Sequence, residues 1–193
     1  KKTTTDVSFS KYIESYTSGI ISKESKIRIY LANRVEGTHA QNEALPDDVF
    51  EIDPSVKGKA YWVDARTIEF KPEKNLDPDK QYNATFELGK IMRVSDRYEQ
   101  FKFSFQTIKP DYTVTFNGLQ TATNTSTDMM KLDGVIQTAD AEPNAQVEKI
   151  ISANYASDVH ISWQHNAYTH THNFIIDKLK RLPDCVNPLT VSW

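Results

Sequence analysis

Residues 50–88 read FEIDPSVKGKAYWVDARTIEFKPEKNLDPDKQYNATFEL. Three runs within this stretch alternate apolar and polar side chains with the period of half-buried strands. They are Tyr61 and Val63, then Ile68 and Phe70, then Tyr82, Ala84, Phe86 and Leu88. Turn formers separate them: Asp53-Pro54, Lys57-Gly58, Asp64-Ala-Arg66 and Leu76-Asp-Pro-Asp79. Alternation broken by turns at this spacing predicts an antiparallel meander inside a small all-β domain.

The same pattern continues on both sides. Upstream, Val7 and Phe9 alternate, Gly19-Ile-Ile-Ser22 reads as an edge strand or turn, and Ile27, Ile29 and Leu31 form a clear strand. Downstream, Phe101, Phe103 and Phe105 alternate strictly with polar residues, so their face is expected to lie buried against a facing sheet. Two polar stretches, residues 34–46 and 89–98, read as loops and are the expected contact surfaces. Ile108-Lys-Pro-Asp111 marks a domain boundary, giving expected domains at 1–109 and 110–193.

Beyond the boundary the alternation restarts. Tyr112, Val114 and Phe116 lead to Asn117-Gly118, a turn dipeptide, and residues 121–127 are polar. A strand over 132–138 is expected to bend at Gly134. One short helix follows, with Pro143 at its first position, Glu142 at its positive end and Val147, Ile150 and Ile151 as its apolar stripe. Strands at Val159–Trp163, Phe174–Ile176 and Leu189–Trp193 complete the half. The fold class expected is all-β: two tandem antiparallel β-sandwich domains with one short helix in the second.

Composition narrows the function classes. A chain of 193 residues with 38% hydrophobic and 25% charged residues folds as an ordinary globular protein. Its net charge of -3 gives no basis for binding nucleic acid or anionic lipid, which demand clustered Lys and Arg. The single cysteine, Cys185, allows no internal disulfide, and the neighbouring Asp184 opposes thiolate formation. No apolar run approaches the ~18 residues of a membrane span, so the segment is not expected to insert directly. The polar start, Lys1-Lys-Thr-Thr-Thr-Asp6, resembles a linker. The chain is therefore expected to be a piece of a longer exported protein, with targeting residues upstream of residue 1, where a lipidated cysteine would fit.

Motifs for catalysis are missing from the sequence. It holds no Gly-rich phosphate loop, no Gly-x-Ser-x-Gly, no His-Glu-x-x-His and no Cys-x-x-Cys, so no catalytic residue and no cofactor is expected. Carboxylate pairs such as Asp47-Asp48 and Asp77/Asp79 sit where turns need Asp. Trp62, Tyr61, Phe70, Phe101 and Trp163 would suit a sugar-binding face, but their alternating strands favour the core. The one candidate metal set is His165, His170 and His172. In that reading His170 and His172 share one strand face and His165 closes from the hairpin turn, leaving a fourth zinc position for water. The competing reading is a hairpin whose histidines pack or face solvent, since no acid lies nearby in sequence to orient the rings; Asp158 and Asp177 are the nearest. His160 and His39 are expected to be inert.

Two sets of residues carry a resemblance. In the first half these are Phe50, Ile52, Pro54, Val56 and Gly58, then Trp62 to Thr67, Ile68, Phe70 and Pro72, then Leu76, Pro78 and Tyr82. They resemble the Ig-like module at the N-terminus of bacterial alpha-2-macroglobulin family proteins, itself similar to bacterial Ig-like domains of surface proteins. In the second half Leu132, Gly134, Ile136, Thr138 and Asp140, then Val147 to Ile151, Trp163 with His165, and His172, Phe174, Ile176, Leu179 and Arg181 are similar to the second macroglobulin-like domain. The resemblance implies a non-enzymatic N-terminal scaffold of an exported envelope protein that inhibits proteases. Its partners would be other domains of the same longer chain and, through them, proteases. The family's reactive thioester motif, Cys-x-Glu-Gln, does not occur, because Cys185 is followed by Val-Asn-Pro. Two alternatives stand beside this reading: a surface adhesion or carbohydrate-associated Ig-like scaffold, and a zinc-dependent activity at His165, His170 and His172.

Overall fold

The computed structural model describes residues 6–35, 37, 39–122, 128–156, 158–181 and 188–193. The chain divides into two compact units, Lys1–Lys109 and Pro110–Trp193. Both are built from β-strands, as the alternation predicts.

Unit 1 contains β1 (Ile13–Tyr16), β2 (Gly19–Ile21), β3 (Ile27–Leu31), β4 (Phe50–Asp53), β5 (Gly58–Trp62), β6 (Thr67–Pro72), β7 (Gln81–Glu87) and β8 (Gln100–Thr107). They form two four-stranded sheets, ordered β1-β3-β6-β5 and β2-β8-β7-β4. The inner faces meet through the residues the alternation selects except in β5, where the parity is the opposite of that expected: Ala60 and Trp62 point inward and Tyr61 outward, because Trp62 is the larger apolar side chain to bury. Ile27, Ile29, Leu31, Trp62, Ile68 and Phe70 of one sheet pack on Ala84, Phe86, Phe101, Phe103 and Phe105 of the other. Burying aromatic and branched side chains at about 25 cal/mol per Å² of apolar surface is what holds such a sandwich closed.

The structure corrects several local expectations. The segment Val7–Lys11 is a 3-10 helix capped by the Asp6 carboxylate, which accepts from the Ser8 N–H; only Phe9 of its residues is buried. The first strand begins later, at Ile13, and β2 crosses to the opposite sheet, where it pairs parallel with β8. That one parallel pair departs from a wholly antiparallel sandwich. Residues 42–45 are not free loop. Asn42 N–H donates to the Trp62 carbonyl (2.7 Å), Leu45 N–H to the Ala60 carbonyl (2.9 Å), and Trp62 N–H to the Glu43 carbonyl (2.9 Å). They cover the outer edge of β5, which would otherwise expose unpaired backbone groups. Residues 89–98 also face inward in part, since Ile91, Met92, Val94 and Tyr98 pack on the core.

One corner explains why Leu76, Pro78 and Tyr82 occur together. The Tyr82 ring is buried, and its hydroxyl accepts from the Asp77 N–H at 3.0 Å. Thr107, also buried, accepts from Lys80 N–H (2.9 Å) and donates to the Asp77 carbonyl (2.6 Å). A tyrosine tying the loop ahead of its own strand to the sheet is a hallmark of immunoglobulin-type sandwiches.

Unit 2 contains β9 (Tyr112–Thr121), β10 (Met129–Thr138), α1 (Asn144–Val147), β11 (Ser152–Asn154), β12 (His160–Asn166), β13 (Thr171–Lys180) and β14 (Thr190–Ser192). One sheet runs β12-β13-β10-β9, and β11 pairs with β14. Val147 and Ile151 from the α1 region pack against Ile136, Phe174, Ile176 and Leu179 of the large sheet. The helix is a single turn with Pro143 as its N-cap rather than its first helical residue.

Two glycines play other parts than expected. Asn117-Gly118 does not turn the chain: β9 runs through it, the register against β10 slips by one residue there, and Gly118 takes φ of 97°. A bulge and a tight turn both need that left-handed backbone, and glycine supplies it for either. Gly134 is a packing position, because a Cβ there would press into the Phe174 ring, 2.8 Å from Cε1.

Candidate functional site

The chemistry-bearing side chains of unit 2 gather where β12, β13 and the end of α1 meet. His165 and His172 are direct cross-strand partners on the face that carries Trp163 and Phe174. Their Nδ1 atoms lie 2.8 Å apart. His165 turns its other nitrogen outward, Nε2 standing 3.0 Å from Oε1 of Glu148, the C-cap residue of α1. The His165 ring lies parallel to the Trp163 indole, in an offset stack with centroids 5.8 Å apart. On the inner side, His172 Nε2 is 3.5 Å from Thr138 Oγ1, whose hydroxyl donates to the Asp140 carbonyl at 2.8 Å.

This is a polar chain leading from an exposed carboxylate to a buried hydroxyl. His172 is only 2% exposed, and burial pushes its imidazole below the usual histidine range, aided by the charges of His165 and His170. Between the two Nδ1 atoms there is room for one proton, with one ring donating and the other accepting. A second proton would place two N–H donors head to head. The arrangement therefore links α1 to the sheet through neutral His172.

The predicted triad is not assembled in the way the sequence suggests. His165 lies within β12 rather than in the turn, and His170 is the turn residue, with φ of 55°. The backbone of His170 is committed, its carbonyl accepting from Thr138 N–H (3.0 Å) and from Gln137 Nε2 (3.2 Å). Among the described residues no group of three His, Cys, Asp or Glu side chains is placed to hold a metal ion. The orienting acid that the local sequence lacks is Glu148, seventeen residues away from His165 and brought close by the packing of α1. No local motif joins the two. Asp177 instead faces His160 on the opposite side of the sheet, with Oδ1 3.4 Å from Nδ1, so His160 has a partner too. His39 stacks on Trp62, with centroids 4.2 Å apart. Cys185 lies outside the described residues.

The aromatic candidates divide. Trp62, Phe70 and Phe101 are core residues, Trp163 is half-buried over Phe174, and Tyr61 points away from the core of its sheet. Unit 1 also carries a built ion group. The Glu69 carboxylate, on a buried residue, receives Lys26 Nζ at 3.0 Å and Arg28 Nε at 2.7 Å. Burial alone would raise its pKa, but these two cations outweigh burial and hold the carboxyl below its ordinary value.

No curated protein matches this chain. The sequence pattern of the family described as "Bacterial Ig-like domain" matches residues 2–107, the whole of the described sandwich of unit 1 and more than half of the chain. Ig-like domains of this kind are a non-catalytic fold type. With its two four-stranded sheets, its tyrosine-tied corner and this match, the chain belongs to the bacterial Ig-like domain family.

Proposed function

We propose that this chain is a non-catalytic scaffold segment of an exported bacterial protein of the alpha-2-macroglobulin type, whose parent inhibits proteases. The observation that carries the reading is where the residues of the resemblance lie. Gly134, Ile136, Thr138, Asp140, Val147, Ile151, His172, Phe174, Ile176 and Leu179 are buried, Leu132, Ile150, Trp163 and His165 are half-buried, and only Glu148, Lys149 and Arg181 are exposed. The buried ones seat α1 and the Phe174 ring on the sheet, so most of the shared pattern describes a packing arrangement rather than a reactive centre. An Ig-like sandwich followed by a second β unit is the order of modules such a scaffold would have. In this reading both units space or brace the parts of the parent that meet proteases. Bacterial Ig-like domains occur in surface and extracellular proteins, which fits an envelope location. No helix among the described residues is long and apolar enough to cross a membrane.

The test uses the intact parent protein. It is incubated with an active protease, and hydrolysis of a small peptide substrate is compared with hydrolysis of a large protein substrate. A second sample is treated with methylamine and searched by mass spectrometry for an adduct at a Cys-x-Glu-Gln site. Selective loss of cleavage of the large substrate, with or without an adduct, supports a protease trap. Unchanged cleavage of both substrates, with no adduct, overturns the macroglobulin reading and leaves an Ig-like scaffold of another kind.

A further inference from the structure

The outward face of the β1-β3-β6-β5 sheet carries more positive charge than the fold uses. Arg28, Glu69 and Tyr61 lie side by side across β3, β6 and β5. One row further along, Lys71 of β6 is the direct partner of Lys59 of β5, and Lys26 precedes β3 at the matching position. Neighbouring strands lie about 4.8 Å apart, so this is a short ladder of three lysines across three adjacent strands. Like charges set directly opposite each other destabilise a sheet. Glu69, the one carboxylate borne by β3, β5 and β6 on this face, is already committed to Lys26 and Arg28. Among the described residues Lys59 and Lys71 form no ion pair. The chain as a whole carries a net charge of -3, so the concentration of cations here runs against its overall balance.

Beside the ladder lies a groove of about 560 Å³. Its walls include Thr17, Ser25, Lys26, Arg28 and Tyr30 together with one carboxylate, Glu24, which accepts from Asn75 Nδ2 at 3.3 Å. Arg28 sits between the Glu69 carboxylate and the Tyr30 hydroxyl, which fixes its position. Half-buried Tyr30 offers a flat apolar ring with a polar edge, hydroxyl side chains offer hydrogen bonds, and the cations offer charge; Tyr16, also in the wall, turns its ring inward onto Phe101 and Phe103. That combination suits a ligand whose anionic groups are carried on hydroxylated rings. A simple acidic peptide would use the cations and leave Tyr30 and the hydroxyls idle.

We propose that this face of unit 1 binds an acidic polysaccharide, with a sugar ring on Tyr30 at the groove and successive anionic groups on Arg28 and the Lys26-Lys71-Lys59 ladder. The unpaired lysines are then complemented by the ligand, which accounts for an arrangement that weakens the free sheet. This binding is independent of whether the parent inhibits proteases, since it uses only unit 1.

The experiment is affinity electrophoresis of the whole 193-residue chain through native gels containing polygalacturonate, neutral dextran or poly-glutamate, at low and at high salt. The expected result is retardation by polygalacturonate, lost on adding salt, with none by dextran. The double variant Lys59→Glu/Lys71→Glu, whose fold is checked by circular dichroism, should bind polygalacturonate at least tenfold more weakly. Tyr30→Ala should weaken polygalacturonate binding about fivefold while leaving any poly-glutamate retardation unchanged. Absence of retardation by polygalacturonate overturns the proposal. So does equal retardation by poly-glutamate that is insensitive to Tyr30→Ala, which would identify an acidic protein surface as the partner instead. If the double variant is misfolded, the single variants Lys59→Gln and Lys71→Gln take its place, and wild-type affinity in both overturns the ladder's role.

Discussion

The Nδ1 atoms of His165 and His172 lie 2.8 Å apart across β12 and β13, in the middle of a polar chain that joins the end of α1 to the sheet of unit 2. His165 reaches the helix end through Glu148, and His172 reaches the buried Thr138. Because His172 is pushed below the ordinary histidine pKa, the unfolded chain binds protons here that the folded chain excludes. Stability from this site is complete well above the unfolded histidine value of about 6.5 and is lost as pH falls through it. Urea unfolding of the whole chain between pH 7.5 and pH 5 should show a midpoint that drops with acidity. His172→Phe should flatten that drop. An equally steep drop in the variant would place the pH response elsewhere.

The corner at Tyr82 yields a second expectation. Tyr82→Phe keeps the ring in the core and removes only the hydroxyl that accepts from Asp77 N–H. The cost should be roughly 0.5–1.5 kcal/mol, the usual net contribution of a hydrogen bond that is only partly buried. It would be read from the denaturation midpoint, with the slope unchanged.

Gly134 and Gly118 should respond to alanine for different reasons. At Gly134 the added methyl meets the Phe174 ring, so Gly134→Ala should cost about 1–3 kcal/mol through overpacking. Pairing it with Phe174→Leu should recover part of that loss, because the obstruction is one ring. At Gly118 nothing lies within 4 Å, and the cost should come only from the left-handed backbone, about 1 kcal/mol. The Phe174→Leu change should not rescue it.

The Lys26-Glu69-Arg28 group should be modest in weight, since both cations are close to half exposed and screened by solvent. Glu69→Gln should cost roughly 1 kcal/mol and make the remaining stability less sensitive to salt. The carboxyl of Glu69 is held below its ordinary value, so its contribution is present above the unfolded pKa near 4.5 and disappears as pH falls through the lower folded value. A stability difference between wild type and variant that vanishes in strong acid would bear this out.

Much of the fold was readable in the residues themselves, because a strand's side chains alternate and parity alone selects the buried face. Ile27, Ile29, Leu31, Phe101, Phe103, Phe105, Phe174 and Ile176 all lie in the cores to which their alternation assigns them. Tyr82 with Leu76 and Pro78 was legible as a pattern, though its hydrogen bond to Asp77 was not. What local pattern left undecided is whatever depends on a distant partner. Asn117-Gly118 encodes a left-handed backbone, and only pairing with Asp133 and Gly134 makes it a bulge instead of a turn. Residues 42–45 look like polar loop until β5 supplies an edge for them to cover. The site shows the same division. The sequence by itself determined that three histidines lie on a hairpin. The tertiary structure decided that His165 and His172 pair, that His170 turns the chain and that Glu148 closes the group. Alternation is a property of one strand, whereas register and helix placement are settled only when separate segments compete to bury their apolar faces against each other.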